Sequence, residues 1–143
     1  MKKDLTRPMV GVGLCIYKDG KVLLSKRKSK HAGGMYGFPG GHLEKWEEFE
    51  EAALRELKEE CGPNIKVSKT KFISAYNTVF KKENKHYILI VLAAKWLKGD
   101  PILTEPKKNE EWQWYDWDNL PKPLMPGIKM LMKEFGYDYI SGN

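Results

Sequence analysis

The chain has 143 residues, 41% of them hydrophobic and 31% charged, a balance that suits one domain, 1–143, around a single core. No apolar run approaches the roughly 20 residues that span a bilayer, so no membrane partner is expected. The net charge is +6, yet eight acidic residues lie between Glu44 and Glu60; the remainder is strongly basic and suits a metal-binding face beside a surface that attracts polyanions.

Residues 1–7 are polar and read as loose, and Met1-Lys2-Lys3-Asp4 is not followed by an apolar signal core. Met9 to Tyr17 is apolar and Gly-spaced, a buried strand. Asp19-Gly20 is a two-residue hairpin signal, and Lys21 to Ser25 returns as a second strand. Next comes the basic cluster Lys26-Arg27-Lys28-Ser29-Lys30. Its plain interpretation is a solvated loop tip. Its functional one is a phosphate clamp, favoured because the cluster abuts a Gly-rich loop, with Arg27 foremost for its planar fork.

The stretch from Gly33 to Gly62 organises the chain. Gly33, Gly34, Gly37, Pro39, Gly40 and Gly41 punctuate its first part too often for a regular helix or a central strand. From Trp46 the residues are good helix formers without internal Gly or Pro, up to the stop Gly62-Pro63. At about 3.6 residues per turn, Phe49, Ala53, Leu57 and Cys61 share one side, flanked by Trp46 and Leu54. Glu56, Glu59 and Glu60 share an adjoining face, where like charges repel by about 0.2–0.5 kcal/mol per pair. A solvated acidic helix is the bland alternative. A hard divalent cation would relieve the repulsion, and Gly40 and Gly41 let backbone approach it closely.

Ile65 to Phe80 predicts one or two strands, Lys81 to Lys85 a turn, and His86 to Leu97 a strand in which His86 is structural. Gly99 to Asn109 reads as a loop, and Glu110 to Trp117 as a strand whose tryptophans serve core or interface, with base stacking as a minor alternative. Pro126 to Phe135 predicts a last helix with Ile128, Leu131, Met132 and Phe135 at helical spacing, stopped by Gly136. Cys15 and Cys61 make no disulfide framework, so a reducing cytoplasm is the expected compartment. Intermixed strands and helices give an α/β class.

Gly41, five residues, Glu47, seven residues, then Arg55-Glu56-Leu57-Lys58-Glu59-Glu60-Cys61-Gly62 resembles the Nudix box; only Pro63 departs, where the family carries a bulky aliphatic residue. Further segments resemble MutT-like nucleotide triphosphate diphosphatases, above all the eukaryotic branch acting on oxidised and thio-purine nucleotides. These are Gly11-Val12-Gly13, Leu23-Leu24 with Lys26-Arg27-Lys28, Phe38 to Glu44, Glu83-Asn84-Lys85-His86-Tyr87, Pro106 through Glu110, Trp112-Gln113-Trp114, Trp117, Leu120-Pro121 and Gly136-Tyr137-Asp138. Lys45-Trp46-Glu47-Glu48 replaces the usual Gly-Glu-Ser start of the box helix, and Met125-Pro126-Gly127 replaces bulkier aromatics.

The resemblance implies an α/β/α sandwich around a mixed sheet. It also implies divalent-metal hydrolysis of a nucleoside diphosphate-linked substrate, most simply a triphosphate to monophosphate and pyrophosphate, with Mg²⁺ or alternatively Mn²⁺. Carried over by motif position, Glu56, Glu59 and Glu60 are metal ligands with the Gly40 carbonyl. Glu56 is the favoured base, Arg55 its orienting partner and Glu47 an anchor. Glu110, in preference to Glu111, is expected to add a ligand. Arg27, Phe38, Gly41, His42, Gly127 and Ile128 fall where similar enzymes hold substrate. A hydrolase of ADP-ribose or another dinucleoside-type substrate is the enzymatic alternative, and a nucleotide or RNA-binding module without catalysis the third. The lysines lack a stripe of interleaved aromatics, so nucleic acid is not the expected partner. A homodimer is compatible with the tryptophan surplus.

Overall fold

The computed structural model describes residues 6–142, so most of the polar stretch 1–7 lies outside the described residues. Two long strands form the spine: β1 (Met9–Lys18) and β7 (Lys85–Lys98). They run parallel, in register from Met9↔Tyr87 to Tyr17↔Lys95. Both are covered on both faces, which explains their nearly unbroken apolar sequence. Val12, Leu14, Ile16, Ile90, Leu92 and Ala94 face one core, while Cys15, Val91 and Ala93 face the other.

The remaining strands pair antiparallel with their partners. These are β2 (Lys21–Lys26), β3 (Tyr36–Gly37), β4 (Gly40–His42), β5 (Lys66–Val67), β6 (Lys71–Phe80) and β8 (Gln113–Asp116). Asp19 and Gly20, at φ +48 and +79, turn β1 into β2 as the hairpin signal predicts. The second edge of β1 is divided. Gly11–Gly13 pair with β4, Tyr17–Lys18 pair with β2, and between them Leu14 N–H donates to the Pro39 carbonyl at 2.8 Å. This fork places the Gly-rich segment within the sheet, against its central strand.

Helix α1 (Phe49–Cys61) packs Ala52, Ala53, Leu57 and Cys61 into the first core. Helices α2 (Pro126–Glu134) and α3 (Tyr137–Ser141) bury Ile128, Leu131 and Ile140 in the second. The result is the expected α/β/α arrangement. Trp112 and Trp117 are core residues, as expected of the tryptophan cluster. His86 bonds Asn77 on the neighbouring strand, a structural role.

Helix α1 begins three residues later than its composition predicts. Glu47 N–H donates to Glu44 O at 3.1 Å, and Trp46 takes φ +76, so residues 44–47 form a turn rather than a first helical coil. Trp46 is consequently 88% exposed and flanks no core. Glu51 then accepts the Glu48 N–H at 2.9 Å, satisfying a donor at the helix start.

Candidate active site

Helix α1 lies against β4, and its C-terminal coil is fastened from outside. The carbonyls of Glu59, Glu60 and Cys61 accept from Thr104 Oγ1, Trp112 Nε1 and Ile102 N–H. These carbonyls have no partner within the helix, so their capture sets where the last carboxylates stand. Glu56 and Glu60 project toward the Gly-rich segment. Gly40 N–H donates to Glu60 Oε1 at 2.7 Å, and a side chain at Gly41 would overlap the Glu56 carboxylate. A side chain at Gly40 would overlap the Val12 carbonyl. Glycine is required at both positions by close approach, with backbone on one side and carboxylate on the other.

Arg55 organises the acidic cluster. Its Nε and Nη2 donate to both Glu47 oxygens at 2.7 and 2.9 Å, Nη1 donates to Glu56 at 2.8 Å, and Nη2 also donates to the His42 carbonyl at 3.0 Å. Hydrogen bonding to Glu47 is the main cause of an elevated Arg55 pKa and, reciprocally, holds the Glu47 carboxyl below its ordinary range. Glu56 is raised, chiefly by burial, with Glu59 and Glu105 adding repulsion against the Arg55 contact. Burial pushes Glu60 up to about 7; Glu56 and Glu105 add to this against the Gly40 N–H. Glu59 is the open member of the three, with its side chain 56% exposed.

Glu56, Glu59 and Glu60 line one cleft of about 530 Å³, a volume suited to a small ligand. Arg27, Lys85 and Lys108 add positive charge to it, while Phe38, Leu89, Met125 and Ile128 supply apolar wall. The cleft therefore gathers Arg27, Phe38, Gly40, Gly41, His42, Glu56, Glu59, Glu60, Gly127 and Ile128 from the sequence-derived set. Arg55 and Glu47 stand behind it, joined to Glu56 through the arginine.

Glu110 does not join them. Its carboxylate comes within 4.0 Å of Lys26, and it lines a separate depression with Lys28, Tyr36 and Tyr115. Glu105 lines the cleft instead, 3.1 Å from Lys108. No spacing in the sequence marks it; the bond from Thr104 to the end of α1 brings its neighbour Glu105 to the acidic face.

Among the described residues, no three acidic, histidine or cysteine side chains are gathered closely enough to cage an ion by themselves. The donor set still fits a hard divalent cation, since it consists of carboxylate and backbone oxygens. Burial makes the Glu60 carboxyl hard to ionise in the protein alone, and a cation beside it would favour the ionised form.

A family model for the NUDIX domain matches residues 7–135. The chain belongs to the Nudix family. It is similar to the ADP-ribose pyrophosphatase of Methanocaldococcus jannaschii, 35% identical over 127 residues that cover 85% of this chain and 73% of that protein. It is also similar to the NAD-capped RNA hydrolase NudC of Escherichia coli (strain K12 / DH10B), 30% identical over 114 residues; the match spans 80% of this chain but 41% of that protein. Among solved structures, a MutT Nudix hydrolase from Burkholderia pseudomallei superposes with a TM-score of 0.83 at 31% identity, covering 91% of this chain and 99% of that one. The Nudix chain is thus a hydrolase of nucleotide-linked substrates. Nudix hydrolases generally need divalent metal cations, in agreement with the oxygen donors of this cleft. No helix among the described residues is long and apolar enough to cross a membrane.

Proposed function

We propose that the protein is a Mg²⁺-dependent nucleoside triphosphate pyrophosphohydrolase that releases a nucleoside monophosphate and pyrophosphate. The observation that carries this assignment is the meeting, in one cleft, of Glu56, Glu59 and Glu60 with Arg27 and Lys108 and with an apolar wall of Phe38, Met125 and Ile128. Phosphoanhydride hydrolysis needs all three elements: neutralised charge, a positioned water, and a grip on the nucleoside. A bound divalent cation supplies charge neutralisation and a water of lowered pKa. Glu56, Glu59, Glu60 and the Gly40 carbonyl are the groups that would hold it.

Glu56 takes the proton of the attacking water, and Arg55, braced by Glu47, keeps the Glu56 carboxylate aimed. Arg27 engages phosphate oxygens through its planar fork. Gly127 and Ile128, at the start of α2, lie beside the nucleoside with Phe38. Segment resemblances to the branch acting on oxidised and thio-purine nucleotides support a modified purine as the base. The 35% identity to an ADP-ribose pyrophosphatase supports ADP-ribose as the second candidate.

Incubation with Mg²⁺ and a panel of standard and modified triphosphates, with ADP-ribose alongside, separates the two by product. Pyrophosphate from a triphosphate is the expected result. AMP plus ribose phosphate as the preferred turnover would shift the assignment to ADP-ribose. Absence of hydrolysis of every nucleotide with either Mg²⁺ or Mn²⁺ would overturn both.

A further inference from the structure

The segment Glu83-Asn84-Lys85-His86-Tyr87 forms the β6–β7 hairpin, from which Lys85 and Tyr87 line the cleft. Glu83, at the end of a single 3-10 turn (Lys81–Glu83), reaches across to the loop that follows β2. Its carboxylate meets His31 Nδ1 at 2.7 Å and accepts the Ala32 N–H at 3.1 Å. Both partners belong to the loop on which Arg27 rests. Arg27 Nε donates to the His31 carbonyl at 3.1 Å, and Nη2 donates to Ser29 Oγ, also at 3.1 Å. The Ser29 hydroxyl in turn donates to the same His31 carbonyl at 3.1 Å.

This loop does not hold its shape by local preference. Ala32 has φ +53, a left-handed conformation that non-glycine residues adopt only when their surroundings impose it. Glu83 is the group that takes up the Ala32 N–H there. The His31 ring lies edge-on to Phe80 at 4.6 Å and tilted against Tyr87 at 5.1 Å; Tyr87 also stacks on His42 at 5.6 Å. One hairpin therefore touches both the basic loop and the catalytic Gly-rich segment. The pair is well covered, with His31 and Glu83 side chains 16% and 29% exposed, so solvent does little to loosen it.

We propose that Glu83 is a positioning residue: by holding His31 and Ala32 it fixes the loop whose His31 carbonyl and Ser29 hydroxyl aim the Arg27 guanidinium at the substrate polyphosphate. This rests on the assignment of Arg27 as a phosphate clamp made above. The mechanism acts on binding. Without Glu83 the loop is free to leave its left-handed turn, the His31 carbonyl moves, and Arg27 loses the geometry that a bidentate phosphate contact needs.

The test is a double-mutant cycle read by steady-state kinetics with Mg²⁺ and the best triphosphate of the panel. Glu83→Ala is expected to raise KM about tenfold with kcat within about twofold, the effect of one charge-assisted hydrogen bond lost in binding. Arg27→Ala is expected to raise KM at least as much. The double variant is expected to be no worse than Arg27→Ala alone, because both changes remove one contact. Additive effects, or a fall in kcat with KM unchanged, would reduce Glu83 to a structural staple and overturn the proposal. A raised KM in Arg27→Ala with wild-type KM in Glu83→Ala would overturn the positioning role while leaving the phosphate clamp standing. An unchanged KM in Arg27→Ala would remove the clamp itself. Should Glu83→Ala fail to fold, the same cycle with His31→Ala, which retains the backbone carbonyl under Arg27, decides by the same criteria.

Discussion

Glu60 should make the metal-free protein lose stability as the pH rises. Its carboxyl ionises near 4.5 in an unfolded chain but at about 7 in the fold, mainly because of burial. Between those values the native state holds a proton that the unfolded state has released. Unfolding then becomes easier with each increment of pH, and the slope vanishes above about 7. At about 1.36 kcal/mol per pKa unit, the full effect amounts to about 3 kcal/mol. Glu60→Gln keeps the size and an oxygen for the Gly40 N–H but cannot ionise. In EDTA the variant and the wild type should melt together at about pH 4, below both values, where the Glu60 carboxyl is mostly protonated in the folded and the unfolded chain alike. At about pH 8 the variant should melt higher by roughly 6–12 °C, taking about 2–4 °C per kcal/mol for a chain of this size. Millimolar Mg²⁺ at pH 8 should raise the wild-type midpoint and leave Glu60→Gln nearly unmoved, since a ligand stabilises only the state that binds it. Differential scanning calorimetry across that pH range reads all three. Parallel wild-type and variant curves from about pH 4 to 8 would show that burial does not raise the Glu60 carboxyl, and this basis for a cation there would be lost.

Glu56→Gln should lower kcat by about two to four orders of magnitude with the fold intact by circular dichroism, the range expected for loss of a general base; near-normal turnover would assign the base elsewhere. Gly41→Ala places a methyl group where the Glu56 carboxylate now lies, so kcat should fall about 100-fold while the sheet persists by circular dichroism. Wild-type activity in that variant would mean that Glu56 works from another position. Trp46→Gly removes a large side chain that is 88% exposed and sits at φ +76. Relief of a left-handed backbone, worth roughly 1–2 kcal/mol, outweighs or matches the entropy of the added glycine, so the melting midpoint should hold or rise. A drop beyond about 4 °C would show that Trp46 is anchored in the folded protein.

Local chemistry made much of this molecule legible from its residues. The unbroken apolar character of Met9 to Tyr17 and His86 to Leu97 marks strands covered on both faces, and Asp19-Gly20 marks the turn between β1 and β2. Carboxylate spacing on one helix identified Glu56, Glu59 and Glu60, because side chains three and four apart share a face whatever surrounds the helix. Where residues were misplaced, a contact outside helical or strand spacing was responsible. The turn at 44–47 delays α1 because Glu47 is drawn onto Arg55, and that pairing is invisible to helix propensity.

The sequence by itself determined the two long apolar strands, the acidic helix face and the two glycines that admit close approach, since each follows from spacing and backbone freedom along a short stretch; the short strands β3 and β4 inside the Gly-rich segment it did not foretell. Only the tertiary structure decided that β1 lies parallel to β7, that Glu105 rather than Glu110 enters the cleft, and that Glu83 meets His31. Those outcomes depend on which distant segments the two cores bring together. A loop bond such as Thr104 to the end of α1 redirects a neighbouring carboxylate without leaving any periodic trace in the chain.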